Sequence, residues 1–248
     1  MNDRGIETVT GTPPPAPRTV SAWDWSDVLL SVPLAVLLAF AISFGLVTVI
    51  IPLIPTQDHD LRTAVGKFLL QLSLYGGVVG SVVLLVTMRR HARLRDLGWR
   101  PVPVQWVLLA VPLAAGAYIL VVVAGAIGNQ LFPSAHNGQP QAVRDAFGHY
   151  QLLAVVAVSV IAPLAEETLF RGFLYGWMRG RMPQMAAVAL SALIFALAHA
   201  ELALLVPIFV LGCLLALIYE RSGSLVPGAI IHALFNLIGV LLIFSTTR

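Results

Sequence analysis

Two adjacent carboxylates and an arginine interrupt an apolar stretch of the chain, and their types are suited to chemistry. Glu166, Glu167 and Arg171 lie between Leu152 and Met178, where most other residues are apolar. An ionisable side chain in hydrocarbon costs about 2.5 kcal/mol or more, so such residues are kept where they pair or function. This cluster therefore predicts either a buried ion pair or a carboxylate that handles protons.

Helical spacing separates the two glutamates. Residues four apart lie on one face of a helix, so Glu167 and Arg171 are expected to form an ion pair with the acid in the favourable N-terminal position. Glu166 lies about 100° further round the helix. We therefore expect Arg171 to neutralise Glu167, while Glu166 faces a cavity and is the better candidate for catalysis.

Further polar residues follow on later apolar stretches. His199 comes four residues after Phe195, and Asn236 comes four residues after His232. If Glu166, His199, His232 and Asn236 converge, a carboxylate or imidazole can take a proton from water, and amide or imidazole N–H groups can stabilise an oxyanion.

A metal site is the alternative reading of the same residues. Glu166, His199 and His232 also match the three-ligand set of a catalytic zinc site with one position open for water. The contiguous zinc motif, two histidines flanking a glutamate on one helix, is absent from the sequence. The cofactor stays open between a divalent metal such as zinc and none.

Composition predicts an all-α, polytopic transmembrane bundle. Of the 248 residues, 58% are hydrophobic and 11% charged, and the mean hydropathy is +0.87; soluble domains carry about 25% charged residues. Seven apolar runs are long enough, or nearly so, for spanning helices, and an eighth span results if the fourth run breaks at Pro163. The runs are 27–54, 66–88, 104–128, 151–178, 183–199, 202–219 and 226–244.

The chain divides into three parts. Residues 1–22 are polar and proline-rich, which predicts a disordered cytoplasmic tail and no cleaved signal peptide. Residues 23–150 hold almost no ionisable groups within their spans and are predicted to be scaffold helices, with Trp23 and Trp25 as an interfacial anchor. Residues 151–244 carry all the polar insertions described above and are predicted to form the catalytic transmembrane domain.

Basic residues predict the orientation in the cell membrane. The loop Arg89–Arg95 is strongly basic and should be cytoplasmic, which places the N-terminus on the same side together with all but four of the 15 Lys and Arg residues. The net charge of +3 reflects this topology, and no nucleic-acid partner is expected. Cys213, the sole cysteine, is predicted to be a buried hydrophobe.

Convergence of the three polar helices is the weak point of this prediction. Counted along straight helices from the cytoplasmic arginines, the depths of Glu166, His199 and His232 agree only within about 10 Å. A single site therefore requires tilt, a broken helix or an inset loop.

Three ordered motifs carry a family resemblance. Glu166-Glu167-x-x-x-Arg171, Phe195-x-x-x-His199 and His232-x-x-x-Asn236 resemble those of the CAAX-protease and bacteriocin-processing family of intramembrane proteases, over roughly residues 150–240. The resemblance implies an intramembrane endopeptidase with a helical core. It further implies that Glu166 and His199 activate water, that His232 and Asn236 hold the oxyanion, and that Glu167, Arg171 and Phe195 support the site.

The resemblance leaves the metal question open, because both metallo- and metal-free glutamate mechanisms are argued for the family. It implies a peptide or membrane-protein substrate, prenylated or not, as partner beside the lipid bilayer. The alternatives are a non-catalytic scaffold or bacteriocin-immunity protein of the same family and, less favoured, a proton-coupled transporter, for which no internal repeat is visible. Interhelical hydrogen bonding would equally explain His232 and Asn236, and Glu201 has no assigned role.

Overall fold

The computed structural model describes residues 21–245, and every regular element among them is helical. The predicted disordered tail lies outside the described residues, apart from residues 21 and 22. The helices are α1 Trp25–Ile50, α2 His59–Arg89, α3 Val104–Leu131, α4 Gln139–Phe147, α5 Gln151–Arg179, α6 Gln184–Ala198, α7 Leu205–Ser222 and α8 Leu225–Ser245. The last turn of α2, Leu85–Arg89, is π-helical. Short 3₁₀ turns follow α1 and precede α7, and another lies between α2 and α3 at Leu94–Leu97.

The predicted fold class is confirmed, with a lower number of full spans. Among the described residues, six helices are long and apolar enough to cross a membrane: α1, α2, α3, α5, α7 and α8. The run predicted over 183–199 forms the 15-residue helix α6, which is shorter than the roughly 20 residues that a full span needs. The chain is an integral, multi-pass membrane protein.

Helix α5 lies at the centre of the bundle and contacts α2, α6, α7 and α8. Pro163 does not divide it into two spans, because the helix continues to Arg179. It is instead widened by π-helical segments at Ala157–Ile161 and Glu167–Tyr175. Pro163 has no N–H to donate to the carbonyl of Ser159, which removes one α-helical bond between the two segments. Such π segments are frequent at functional sites.

Small residues let α3 pack closely against the C-terminal helices. Its buried positions are all alanine or glycine, and α3 contacts both α7 and α8. Small interfacial residues allow backbones to approach, which is how helices associate in lipid. The apolar cluster that results includes Leu211 and Leu215 of α7 and Ile231 of α8. Helix α8, which carries His232 and Asn236, is thereby held beside α3 and α7.

The beginning of α1 is tied to the end of α2 by ion pairs. Buried Asp27 accepts hydrogen bonds from Arg89 and Arg90 at 2.7 Å each, and Arg90 also pairs with Asp24 at 2.6 Å. Hydrogen bonds from Ser26, together with Arg90, hold the pKa of Asp24 well below its usual range. The basic residues that predict the membrane orientation are therefore partly neutralised in the folded chain.

Trp23 corrects part of the predicted interfacial anchor. Its side chain is 2% exposed, stacks on Phe173 and donates from Nε1 to the Phe173 carbonyl at 3.0 Å. Trp25, in contrast, is 64% exposed and is free to lie at a membrane surface. A buried tryptophan finds a partner for its N–H, so Trp23 fastens the start of α1 to α5.

Candidate active site

Glu166 is partly accessible and its two carboxylate oxygens face different helices. Oε1 accepts a hydrogen bond from the Tyr75 hydroxyl of α2 at 2.7 Å. Oε2 lies 3.6 Å from Nε2 of His232 on α8. The Glu166 side chain is 14% exposed, whereas that of Glu167 is 1% exposed. The structure thus gives the two adjacent glutamates the different surroundings that their helical positions predict.

Glu167 is buried and forms the ion pair predicted from its spacing. Its Oε1 accepts from Arg171 at 3.0 Å and contacts Nδ1 of His232 at 3.1 Å. Its Oε2 has no hydrogen-bond partner within the described part of the chain. This oxygen faces the backbone of Gly228 on α8, where an added Cβ would approach it to 3.2 Å.

Arg171 joins α5 to two further helices. Its guanidinium is 1% exposed, donates to the Gly212 carbonyl of α7 at 3.2 Å and lies 4.2 Å from the centre of the Phe195 ring on α6. Breaking a buried ion pair typically destabilises a protein by about 3–5 kcal/mol, because one charge is left uncompensated. The pair therefore fixes the helices around Glu166.

His199 reaches the site at the end of the short helix α6. Its Nδ1 lies 2.8 Å from the Phe195 carbonyl. A carbonyl only accepts hydrogen bonds, so Nδ1 carries the proton and Nε2 of the neutral ring presents a lone pair. The Phe195 ring packs edge-on against His199 at 4.8 Å and against His232 at 5.8 Å between centres. Phe195 thus stands between the two imidazoles.

Asn236 binds α5 at some distance from the two glutamates. Its amide nitrogen donates to the Val158 carbonyl at 2.9 Å, in the first π-helical segment. Val158 precedes Glu166 by two turns of the helix. In this arrangement Asn236 joins α8 to α5, and one N–H remains for another acceptor.

The structure thus brings some of the predicted residues together more closely than others. Glu166, Glu167, Arg171 and His232 are linked by direct contacts, His199 approaches through Phe195, and Asn236 is attached through the backbone of α5.

The donor groups do not fit a three-ligand metal site in this arrangement. Across residues 21–245, no three His, Cys, Asp or Glu side chains are grouped closely enough to hold a metal ion. Glu166 and His232 are close to each other, but His199 lies beyond Phe195 and both nitrogens of His232 face carboxylates.

Tyr75 is a site residue that sequence reasoning missed. It lies 91 residues before Glu166, within a helix that was predicted to be scaffold. A tyrosine in an apolar span is ordinarily explained by its amphipathic ring. The one signal in the sequence was its polar hydroxyl, which needs a hydrogen-bond partner when it is buried within a span.

An apolar groove between α2 and α5 runs alongside this hydrogen bond. Its volume is about 470 Å³. Trp99 closes part of it and donates from Nε1 to the Thr168 hydroxyl at 3.1 Å. Tyr75 lines the groove with its ring while its hydroxyl binds Glu166, so this side chain separates the groove from the carboxylate. The lining residues are Leu72, Tyr75, Gly76, Val79, Trp99, Ile161, Leu164, Ala165 and Thr168.

Comparison with known families bears directly on this half of the chain. Residues 148–238 match the family described as Type II CAAX prenyl endopeptidase Rce1-like. This segment is similar to that family. The match contains Glu166, Glu167, Arg171, Phe195, His199, His232 and Asn236. The resemblance carried by the three motifs is thereby confirmed for this segment.

Two curated relatives are similar to part of the chain. The chain is 25% identical over 127 residues to "Putative membrane peptidase YdiL" of Bacillus subtilis, which covers 51% of the chain and 52% of the relative. It is 30% identical over 83 residues to "UPF0177 protein YxdF" of Lactococcus lactis, which covers 33% of the chain and 45% of the relative. The chain thus spans about half the length of the curated relatives it matches. No solved structure matches it.

Proposed function

We propose that the chain is an intramembrane endopeptidase in which Glu166 is the general base. The observation that carries this proposal is the contrast between the two glutamates: Glu167 is buried, with Oε1 held by Arg171 and His232, whereas Glu166 is partly accessible and its Oε2 faces an imidazole. A general base must reach the proton it removes, and only Glu166 of the pair has this access.

The buried ion pair holds the His232 ring in orientation. One ring nitrogen of His232 lies 3.6 Å from Oε2 of Glu166, and the other lies 3.1 Å from Oε1 of Glu167. Glu167 is fixed in turn by Arg171 at 3.0 Å. The imidazole beside Glu166 is therefore oriented by the pair.

The reaction follows from these positions. Glu166, assisted by the Nε2 lone pair of His199, takes one proton from a water whose oxygen attacks the peptide carbonyl carbon. His232 and Asn236 donate N–H groups to the oxyanion that forms. Glu166 then returns the proton to the amide nitrogen as the C–N bond breaks, which leaves a carboxyl and an amine end. The substrate is a peptide or membrane-protein segment at the bilayer.

Replacing Glu166 tests the proposal. Membranes that contain wild type, Glu166→Ala or Glu201→Ala are compared by quantitative sequencing of newly formed peptide termini. Glu201→Ala removes a glutamate outside the hydrogen-bonded cluster and serves as the matched control. We expect a set of membrane-proximal termini that is present for wild type and the control and absent for Glu166→Ala.

Two results would overturn the proposal. The first is the same set of termini from Glu166→Ala, provided that this variant is inserted at the wild-type level. The second is a peptide that copurifies intact with both wild type and Glu166→Ala, with no termini that depend on Glu166. That second result would favour a non-catalytic scaffold or immunity protein.

A further inference from the structure

The second helix contributes a polar group to a site that otherwise belongs to the C-terminal half. The Tyr75 hydroxyl donates to Oε1 of Glu166 at 2.7 Å. This residue lies outside the segment 148–238 that matches the family. Neither the family match nor the three motifs therefore assigns it a role.

We propose that Tyr75 is a positioning residue that holds Glu166 in its reactive orientation. This inference rests on the proposed function of Glu166. The Tyr75 hydroxyl fixes Oε1, and the carboxylate plane is then set so that Oε2 faces His232.

The physical reason lies in the freedom of a glutamate side chain. The last torsion of glutamate is broad and roughly two-fold, so the carboxylate rotates unless both oxygens have partners. Oε2 has only a 3.6 Å contact, which is too long for a hydrogen bond. The bond from Tyr75 is therefore the strongest restraint on Glu166 among the described contacts.

The ring and the hydroxyl of Tyr75 make different contacts. The ring forms part of the wall of the apolar groove, while the hydroxyl binds the carboxylate. Tyr75→Phe removes the hydroxyl alone and leaves the wall in place. A loss in this variant then reports the orientation of Glu166 and not the shape of the groove.

Tyr150→Phe provides a matched control. The Tyr150 hydroxyl also donates to a carboxylate oxygen, that of Asp58, at 3.4 Å, but at the opposite end of the bundle from the Asp27 ion pairs. The same atom is removed from a longer tyrosine–carboxylate contact that does not involve Glu166. Any general effect of losing a tyrosine hydroxyl on folding or insertion appears in both variants.

The first measurement needs no substrate. Purified full-length protein in lipid nanodiscs is treated with dicyclohexylcarbodiimide, which modifies carboxyl groups inside membranes, and the adduct at residue 166 is followed by mass spectrometry. Because the Tyr75 hydroxyl covers Oε1, we expect Tyr75→Phe to be modified at least about threefold faster than wild type. Tyr150→Phe should be modified at the wild-type rate, and Glu166→Gln should give no adduct at this position.

The second measurement uses the protein whose cleavage depends on Glu166, reconstituted with the enzyme in vesicles at a series of surface densities. Loss of a hydrogen bond to a charged group should lower kcat about ten- to hundredfold in Tyr75→Phe. KM should change less than about twofold, because the groove wall is intact. A merely structural defect would lower the thermal unfolding midpoint and the yield of folded protein instead.

Each result decides something different. Wild-type modification and wild-type kcat in Tyr75→Phe would overturn the positioning role, as would an equal loss in Tyr150→Phe. If no cleavage depends on Glu166 at all, the proposed function fails, whereas the carbodiimide measurement still reports whether Tyr75 covers Oε1. Faster modification with an unchanged kcat would show that the contact exists and does not position the base, which also overturns the proposal.

Discussion

At the scale of single residues, two neighbouring carboxylates differ in burial and in their contacts, and we propose different roles for them. Glu167 is buried, with Oε1 bound to Arg171 and in contact with His232, and Glu166 is partly accessible, with Oε2 facing the same imidazole. A charge in a low-dielectric interior is tolerated only when it is paired and hydrogen-bonded. The ion pair of Glu167 with Arg171 neutralises one of the two carboxylates. It therefore lowers the free-energy cost of placing Glu166 beside Glu167.

Gly228 tests how closely this cluster is packed. A Cβ at this position would lie 3.2 Å from Oε2 of Glu167, so the carboxylate must move by a few tenths of an ångström. We expect Gly228→Ala to lower the cleavage rate about tenfold, because small displacements of positioned groups are costly. Gly239→Ala, on the same helix with nothing within 4 Å, is the control and should keep the wild-type rate. Equal rates in both variants would mean that Glu167 does not position the site.

One contact of this site could be predicted from helical spacing, and another could not, because its two residues are far apart in the chain. Glu167 and Arg171 are four apart on one helix, so their ion pair follows from helical geometry alone. The bond between Tyr75 and Glu166 joins residues 91 apart and depends on which faces of α2 and α5 meet. A single sequence does not show directly which faces of two helices meet.

At the scale of elements, close approach of α1 and α2 is the contact most sensitive to side-chain volume. A Cβ on Gly77 would lie 2.4 Å from the Ala35 carbonyl oxygen and 2.7 Å from the Ala39 nitrogen. These are backbone atoms, which cannot rotate away as a side chain would. The two helices would have to separate.

We therefore expect Gly77→Ala to destabilise the protein by about 1–3 kcal/mol, as overpacking typically does. Gly45→Ala on α1 meets nothing within 4 Å and should be neutral or slightly stabilising, since alanine favours the helix. Thermal unfolding in nanodiscs measures both. Gly77 follows Tyr75 by two residues, so cleavage should fall as well; a stable and fully active Gly77→Ala variant would contradict the observed helix packing.

Helix existence was predictable from hydropathy, and helix shape was not. All seven apolar runs are helical, because backbone groups in a membrane must be satisfied within each segment. The π-helical segments of α5 and the end of α6 at His199 are set by packing among neighbours. A depth counted along a straight α-helix assumes a uniform rise per residue, and the π-helical segments of α5 depart from that assumption.

At the scale of the whole molecule, membrane orientation is the remaining prediction from charge. Arg89 and Arg90 are paired with Asp24 and Asp27 in the folded chain, which reduces the net positive charge at that end. Membrane orientation nevertheless depends on the number of Lys and Arg residues near the ends of the spans, and acidic residues contribute little to it. The exposed Arg93, Arg95 and Arg100 that follow keep the bias in place.

Single cysteines test this orientation, because Cys213 is the only one to remove. In a Cys213→Ser background, the exposed positions Gln57, Arg93 and Ser134 are each replaced by cysteine. A membrane-impermeant maleimide applied to intact cells should label positions 57 and 134, and should label position 93 only after permeabilisation. The reverse pattern would place the N-terminus outside. It would also place the ion pairs of Arg89 and Arg90 with Asp27 and Asp24 at the outer surface of the membrane.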